Sequence, residues 1–217
     1  MSKNAEKLKV MLGDWYDFLY DYFKDDRVIT AVNIERKTKT VYPENNDILR
    51  AFSLTQYNDV KVVIIGLDPY FNGQADGLAF SCSKGQTPVS LNVIFDEIDR
   101  SLNTFPPVSN PDLTRWAKQG VLLINTALTV EHGKPKSHLK LWEGFMEKVI
   151  EALNKKEDIA WMLWGNEAKS FKNLINPSHL ILESCHPAAQ ARGSATFRGN
   201  DHFKITFDKY QIDWETN

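Results

Sequence analysis

Four short apolar runs, at residues 60–66, 121–124, 159–164 and 180–182, alternate with helix-period segments, and this alternation constrains the chain more than any other feature. Runs this short and continuous read as strands covered on both faces. Between them, large apolar residues recur at helical spacing: Ile94, Phe95, Ile98 and Leu102 in residues 90–102, then Phe145, Val149 and Leu153 in residues 141–153. A third, shorter helical pattern covers residues 167–174. Parallel strands need a crossover to return the chain, and a helix supplies it with a right hand. The expected fold class is therefore α/β: a central four-stranded parallel sheet with helices on both faces, in a single domain over residues 1–217.

The flanks fit this scheme. Leu8, Met11, Trp15, Phe18, Leu19 and Tyr22 share one helical face near the start, and Phe203, Phe207 and Tyr210 give a last helical pattern before Asp213 and Trp214. The proline-rich residues 105–111 read as a loop, and no internal repeat or low-complexity stretch appears. With 42% hydrophobic and 25% charged residues the chain has enough apolar material for a substantial core. No apolar run approaches the roughly 18 residues of a membrane span, and the start from Met1 to Glu6 is too polar for a secretory signal. An intracellular protein is expected, cytoplasmic in a prokaryote, with no membrane partner.

Several function classes drop out. Cys82 and Cys185 lie far apart with no CxxC spacing, which argues against a disulfide framework or a cysteine zinc site. No HxE and PCxxC set of a zinc deaminase occurs, and no GxxxxGK[ST] phosphate loop follows a strand. Neither a metal nor a cofactor is expected. A net charge of -2 gives no general attraction to nucleic acid, so any DNA contact must be a local basic patch. Two clusters offer one: Lys134, Lys136, His138 and Lys140, and Arg192, Arg198, His202 and Lys204.

Ligands of open parallel sheets bind beyond the carboxyl ends of the strands. The polar residues following the four runs are Asp68 in Gly66-Leu67-Asp68-Pro69-Tyr70, Asn125-Thr126, Gly165-Asn166, and His186 in Ser184-Cys185-His186-Pro187. An acid, an amide and an imidazole would face one pocket. Each also has a plainer reading: Asp before proline and Asn at a strand end are common turn residues, and His186 would suit a satisfied, partly buried position.

These segments resemble the uracil-DNA glycosylases that carry a GQDPYHGPGQAHGLxFS signature. Residues 66–81 read GLDPYFNGQADGLAFS, followed by Thr87-Pro88-Val89-Ser90-Leu91, by Gly120-Val121-Leu122-Leu123-Ile124-Asn125, and by Ser137-His138, Trp142-Glu143, Leu163-Trp164-Gly165, His186-Pro187 and Arg198-Gly199-Asn200-Asp201-His202-Phe203 in the family's order. The resemblance implies an enzyme that flips uracil from DNA and hydrolyses its N-glycosidic bond. Asp68 would stabilise the cationic sugar and orient the attacking water. His186 would donate to the uracil oxygen on which charge gathers. Asn125 would accept from N3–H of uracil and donate to O4, the reverse of cytosine's pattern. Tyr70 would exclude a thymine methyl group, Phe80 would stack on the flipped ring, and Leu67 would complete the uracil site. For Tyr70 and Phe80, ordinary aromatic packing is the plainer reading.

DNA contacts would come from Pro88, Ser90, Gly165 and Asn166, and from an insertion loop holding Ala188, Ala189, Gln190 and Arg192. The resemblance leaves open a proteinaceous glycosylase inhibitor or replication proteins as partners of a monomer. It also has departures. Leu67 stands where the family has glutamine, Phe71 and Asp76 where it has histidine, and the loop over residues 71–77 is one residue shorter. Those changes would alter the water side of the pocket. They also keep alive a second function, a glycosylase-fold DNA-binding or polymerase-accessory module with weak or no catalysis. Gln190 stands at the position of an apolar wedge, and a polar wedge would fill a vacated base stack poorly, favouring single-stranded over duplex substrate.

Overall fold

The computed structural model describes residues 3–215, so Met1 and Ser2 of the polar start lie outside the described residues. In chain order the elements are α1 (Lys3–Leu12), α2 (Tyr16–Phe23), α3 (Arg27–Glu35), β1 (Val41–Tyr42), α4 (Arg50–Leu54), β2 (Val62–Gly66) and α5 (Val89–Leu102). There follow α6 (Thr114–Ala117), β3 (Val121–Asn125), β4 (Val130–Glu131), α7 (Phe145–Leu153), β5 (Ala160–Trp164), α8 (Asn166–Lys169), β6 (Leu180–Ser184), α9 (Pro187–Ala191) and α10 (His202–Tyr210).

The four apolar runs form one parallel sheet in the order β3-β2-β5-β6, as the alternation requires. Every residue of β2, β3 and β5 is buried, which is why these strands carry no polar alternation. The chain leaves β2 for β3 on one side, then passes back over β2 to β5 and on to β6. Right-handed crossovers in opposite directions put helices on opposite faces. Accordingly α5 packs with α9 and α10, whereas α2 packs with α7. The direction of winding changes between β2 and β5, and a crevice opens there beyond the strand ends.

Three helical patterns differ from their expected spans, and the one over residues 167–174 gives only α8, which ends at Lys169, with a separate tight turn at Lys172–Leu174. The N-terminal helix is split: α1 stops at Leu12, a single tight turn spans Gly13–Trp15, and α2 begins at Tyr16. Gly13 has φ 56°, and a Cβ there would fall 2.0 Å from Gln56 Oε1. The Asp14 N–H donates to that oxygen, while the Asp14 carboxylate accepts from the Tyr57 and Asn58 N–H groups. These distant partners break the helix without moving its apolar face. Helix α7 starts only at Phe145, because Gly144 at φ 79° ends the preceding turn. The two-residue pair β1 and β4 forms a separate antiparallel ribbon that the sequence pattern did not indicate.

Candidate active site

Strand pairing delivers the first two functional groups. Gly66 and Asn125 are register partners at the ends of β2 and β3. A Cβ on Gly66 would lie 2.1 Å from Asn125 Oδ1, so only glycine leaves room for the amide over the strand end. The ladder then continues past the strands. Thr126 N–H donates to Gly66 O (3.0 Å), and Leu67 O accepts from Ala127 N–H (3.0 Å) and Thr126 Oγ1 (2.6 Å). The residue preceding Asp68 is thereby fixed.

Asp68 is partly buried, and its Oδ2 accepts the Lys136 main-chain N–H at 2.6 Å. Burial pushes its carboxyl above the usual range, against the N–H bond and charge of Lys136, which lower it. His186 caps α9, with its Nδ1 accepting the Ala188 N–H at 3.1 Å. Burial, aided by the charge of Arg192 and opposed by Glu167, lowers its pKa and favours the neutral ring. With Nδ1 an acceptor, the neutral imidazole carries its proton on Nε2.

Two aromatics complete the enclosure. Phe80 holds a left-handed backbone (φ 64°), and its carbonyl accepts the Tyr70 hydroxyl at 3.1 Å. Burial raises the Tyr70 pKa, so the hydroxyl stays protonated and able to donate. The Phe80 ring lies 5.6 Å edge-on to Trp164 and 5.8 Å from the His186 ring.

Asp68, Tyr70, Phe80, Asn125 and His186 line a single cavity of about 190 Å³, joined by Leu67 and Ser90. Acid, amide and imidazole thus converge as the strand-end argument requires. Leu67 also walls a neighbouring cavity of about 230 Å³ on the Trp142 and Phe171 side. Pro88 caps α5 and Gly165 (φ 90°) precedes α8, with a Cβ on Gly165 reaching 3.0 Å from that of His186. These two, with Asn166, Ala188, Ala189, Gln190 and Arg192, flank the cavity without lining it. Among the described residues no group of three or more His, Cys, Asp or Glu side chains could hold a metal ion.

Three expectations need adjustment. Asp76 does not face the water side: it is buried, accepts from Ser81 Oγ (2.7 Å) and lies 3.4 Å from Arg50, whereas Phe71 does line the cavity. His138 and His202 are not part of a basic surface. Both are buried, His138 with Nδ1 on Thr129 Oγ1 and Nε2 3.0 Å from Glu35, His202 with Nδ1 accepting from Trp164 Nε1. Gln190 turns back into its own loop, where its Oε1 accepts the Phe197 and Arg198 N–H groups at 2.8 and 2.6 Å. Gly66 and Lys136 contribute to the site in roles the sequence did not assign to them, Lys136 having been read only as part of a basic cluster. The positive φ of Lys136 gives no sequence signal, whereas Gly66 sits at a strand end where close backbone approach was to be expected.

The comparisons agree with this geometry. The family description "Uracil DNA glycosylase superfamily" matches residues 52–211. A protein named uracil-DNA glycosylase from Borreliella burgdorferi is 46% identical over 213 residues, covering 95% of this chain and 93% of its own length. One of the same name from Clostridium beijerinckii is 42% identical over 219 residues, covering 95% of this chain and 97% of its own. Among solved structures, mimivirus uracil-DNA glycosylase superposes with a TM-score of 0.76 at 25% identity, over 83% of this chain and 71% of that one. A mimivirus UNG variant in complex with UGI gives 0.78 at 25% identity, over 84% of this chain and 73% of that one.

Proposed function

This chain belongs to the uracil DNA glycosylase superfamily, and from that premise we propose that it releases uracil from DNA with the groups gathered at the switch point of its sheet. The observation that carries this is the convergence of Asp68, Asn125 and His186 on one cavity. A flipped base enters with its ring against Phe80 and its C5 edge against Tyr70. Asn125 pairs with N3 and O4. The C–N bond breaks with its electron pair leaving on the base, and the His186 Nε2–H donates to the oxygen that gains charge. The Asp68 carboxylate stabilises the cationic sugar and orients water, whose oxygen bonds to the sugar carbon while its proton passes to Asp68.

A non-catalytic DNA-binding module is not favoured. Relatives at 42% and 46% identity over nearly the whole chain bear the enzyme's name. The macromolecular partner is uracil-containing DNA, which Pro88, Ser90, Gly165, Asn166 and the segment from Ala188 to Arg192 would grip. Inhibitor or replication proteins are proposed partners of a monomeric chain. No helix among the described residues is long and apolar enough to cross a membrane.

The test is release of free uracil from a labelled single-stranded oligonucleotide, with cytosine and thymine controls. Asp68→Asn is expected to slow release by about 10²- to 10⁴-fold, and His186→Leu by about 10²- to 10³-fold. The rate should fall as pH drops through the raised pKa of Asp68, because the carboxylate is the working form. Variants as fast as the parent chain would remove both residues from the chemistry.

A further inference from the structure

Residues 131–137 close over the catalytic carboxylate, and the roles assigned above leave this arrangement unused. The Lys134 N–H donates to Glu131 O (3.0 Å), and the Glu131 N–H donates to Ser137 Oγ (2.9 Å), which makes the segment a tight turn. The Gly133 N–H donates to Phe71 O at 3.0 Å, docking the turn on the segment that follows β2. At its far end stands Lys136, whose φ of 67° lies in the left-handed region. A side chain is disfavoured there, and such a backbone persists where its surroundings over-determine it. Its N–H meets Asp68 Oδ2 at 2.6 Å, and its ammonium lies 3.1 Å from Glu167 Oε1 in α8. Lys136 and Glu167 are both exposed, so their ion pair alone holds the turn weakly.

We propose that Lys136 is a positioning residue for Asp68: its left-handed main chain aims one N–H at Oδ2, fixing the carboxylate and leaving Oδ1 for the sugar and water. The proposal rests on the assignment of Asp68 as the hydrolytic carboxylate. A turn that must present a donor to a half-buried carboxylate gains a fixed charge-assisted hydrogen bond. Lys136 is also the charged group that acts on Asp68, with Glu167 beyond it, while Arg192 and Glu167 act on His186. Loss of the N–H therefore removes the larger of the two effects that oppose burial, and the carboxylate holds its proton to higher pH.

The experiment compares single-turnover uracil release across pH for Lys136→Val, Lys136→Asn and Asp68→Asn, with thermal unfolding of each. Valine is poorly tolerated at positive φ, whereas asparagine is accommodated. Lys136→Val is expected to lose about 10- to 100-fold in the maximal single-turnover rate, with little change in the half-saturating concentration and with its acid limb moved to higher pH. Lys136→Asn, which keeps the backbone N–H but lacks the ammonium, should retain most of the parent rate and move the acid limb up by less than valine does, because only the lost charge acts on Asp68. Should valine fail to fold, an amide-to-ester replacement at position 136 removes the N–H alone and is expected to shift the acid limb in the same direction. A parent-like rate and pH profile for Lys136→Val or the ester overturns the proposal, as does an asparagine variant as impaired as valine. If Asp68→Asn itself retains full activity, the assignment of Asp68 has failed instead, and the arms tell the two apart.

Discussion

At Gly66 the missing side chain does chemical service, because Asn125 occupies the space a methyl group would need. Gly66→Ala forces Oδ1 away from the strand end or strains the sheet, with Ala79 Cβ also only 3.0 Å from the new atom. The expected cost is about 1–3 kcal/mol of stability, together with a lower kcat/KM on uracil and a weaker preference over cytosine. Denaturant unfolding and paired-substrate kinetics measure both; unaltered discrimination would mean that the amide does not depend on this gap. Asp68, Asn125 and His186 were legible in the sequence because each stands at or just beyond the end of a recognisable apolar run, although the run at β6 is only partly buried, contrary to its expected cover on both faces. Gln190, His138 and His202 were not, since their side-chain partners come from other segments and residue type alone does not reveal them. Gln190 read as a wedge, yet its carbonyl oxygen holds the Phe197 and Arg198 N–H groups.

Among the elements, α5 has a second task beyond covering the sheet. Its Glu97 is fully buried, accepts from Arg100 through two bonds of 2.8 Å, and takes the Gly199 and Asp201 N–H groups at 2.8 and 3.0 Å. Burial alone would raise its pKa, but these four bonds outweigh it and hold the carboxyl below the usual range. The segment after α9 is thus tied at one end by Gln190 and at the other by Glu97. Its Phe197 stands edge-on to Trp164 at 5.0 Å, and Trp164 in turn supports Phe80. Glu97→Gln is expected to cost about 1.5–3 kcal/mol at neutral pH. Because the folded-state pKa is depressed, that contribution is present above the unfolded-state value and lost as pH falls through the folded one. The gap between parent and variant should therefore narrow in acid; urea unfolding showing a constant gap would refute this account. Helices α5, α7 and α10 were readable from apolar spacing, whereas α9 and the β1–β4 ribbon are too short for periodicity to register.

For the whole molecule, the charge pattern limits how DNA is held. Of the two basic clusters in the sequence, His138 and His202 are buried, Lys134 pairs with Glu131, Lys136 with Glu167 and Lys204 with Asp208. Lys140, Arg192 and Arg198 remain as exposed cations outside those pairs. With two or three phosphate contacts on a single strand, the logarithm of affinity should fall with the logarithm of salt at a slope of about -1.4 to -2.1. A titration of a uracil-free oligonucleotide measures it, and a slope steeper than about -4 would point to a larger basic surface than this one. The sheet was readable as a whole from its four apolar runs; the neutralisation of the lysines was not, since it depends on where the fold brings the carboxylates.

The order in which the sheet is built has a consequence for synthesis. Strand β6 is the last strand in the chain and lies at the sheet edge, and the imidazole follows two residues after it. By the proposed division of labour, a growing chain lacks the donor for the departing base until residue 186 has been added.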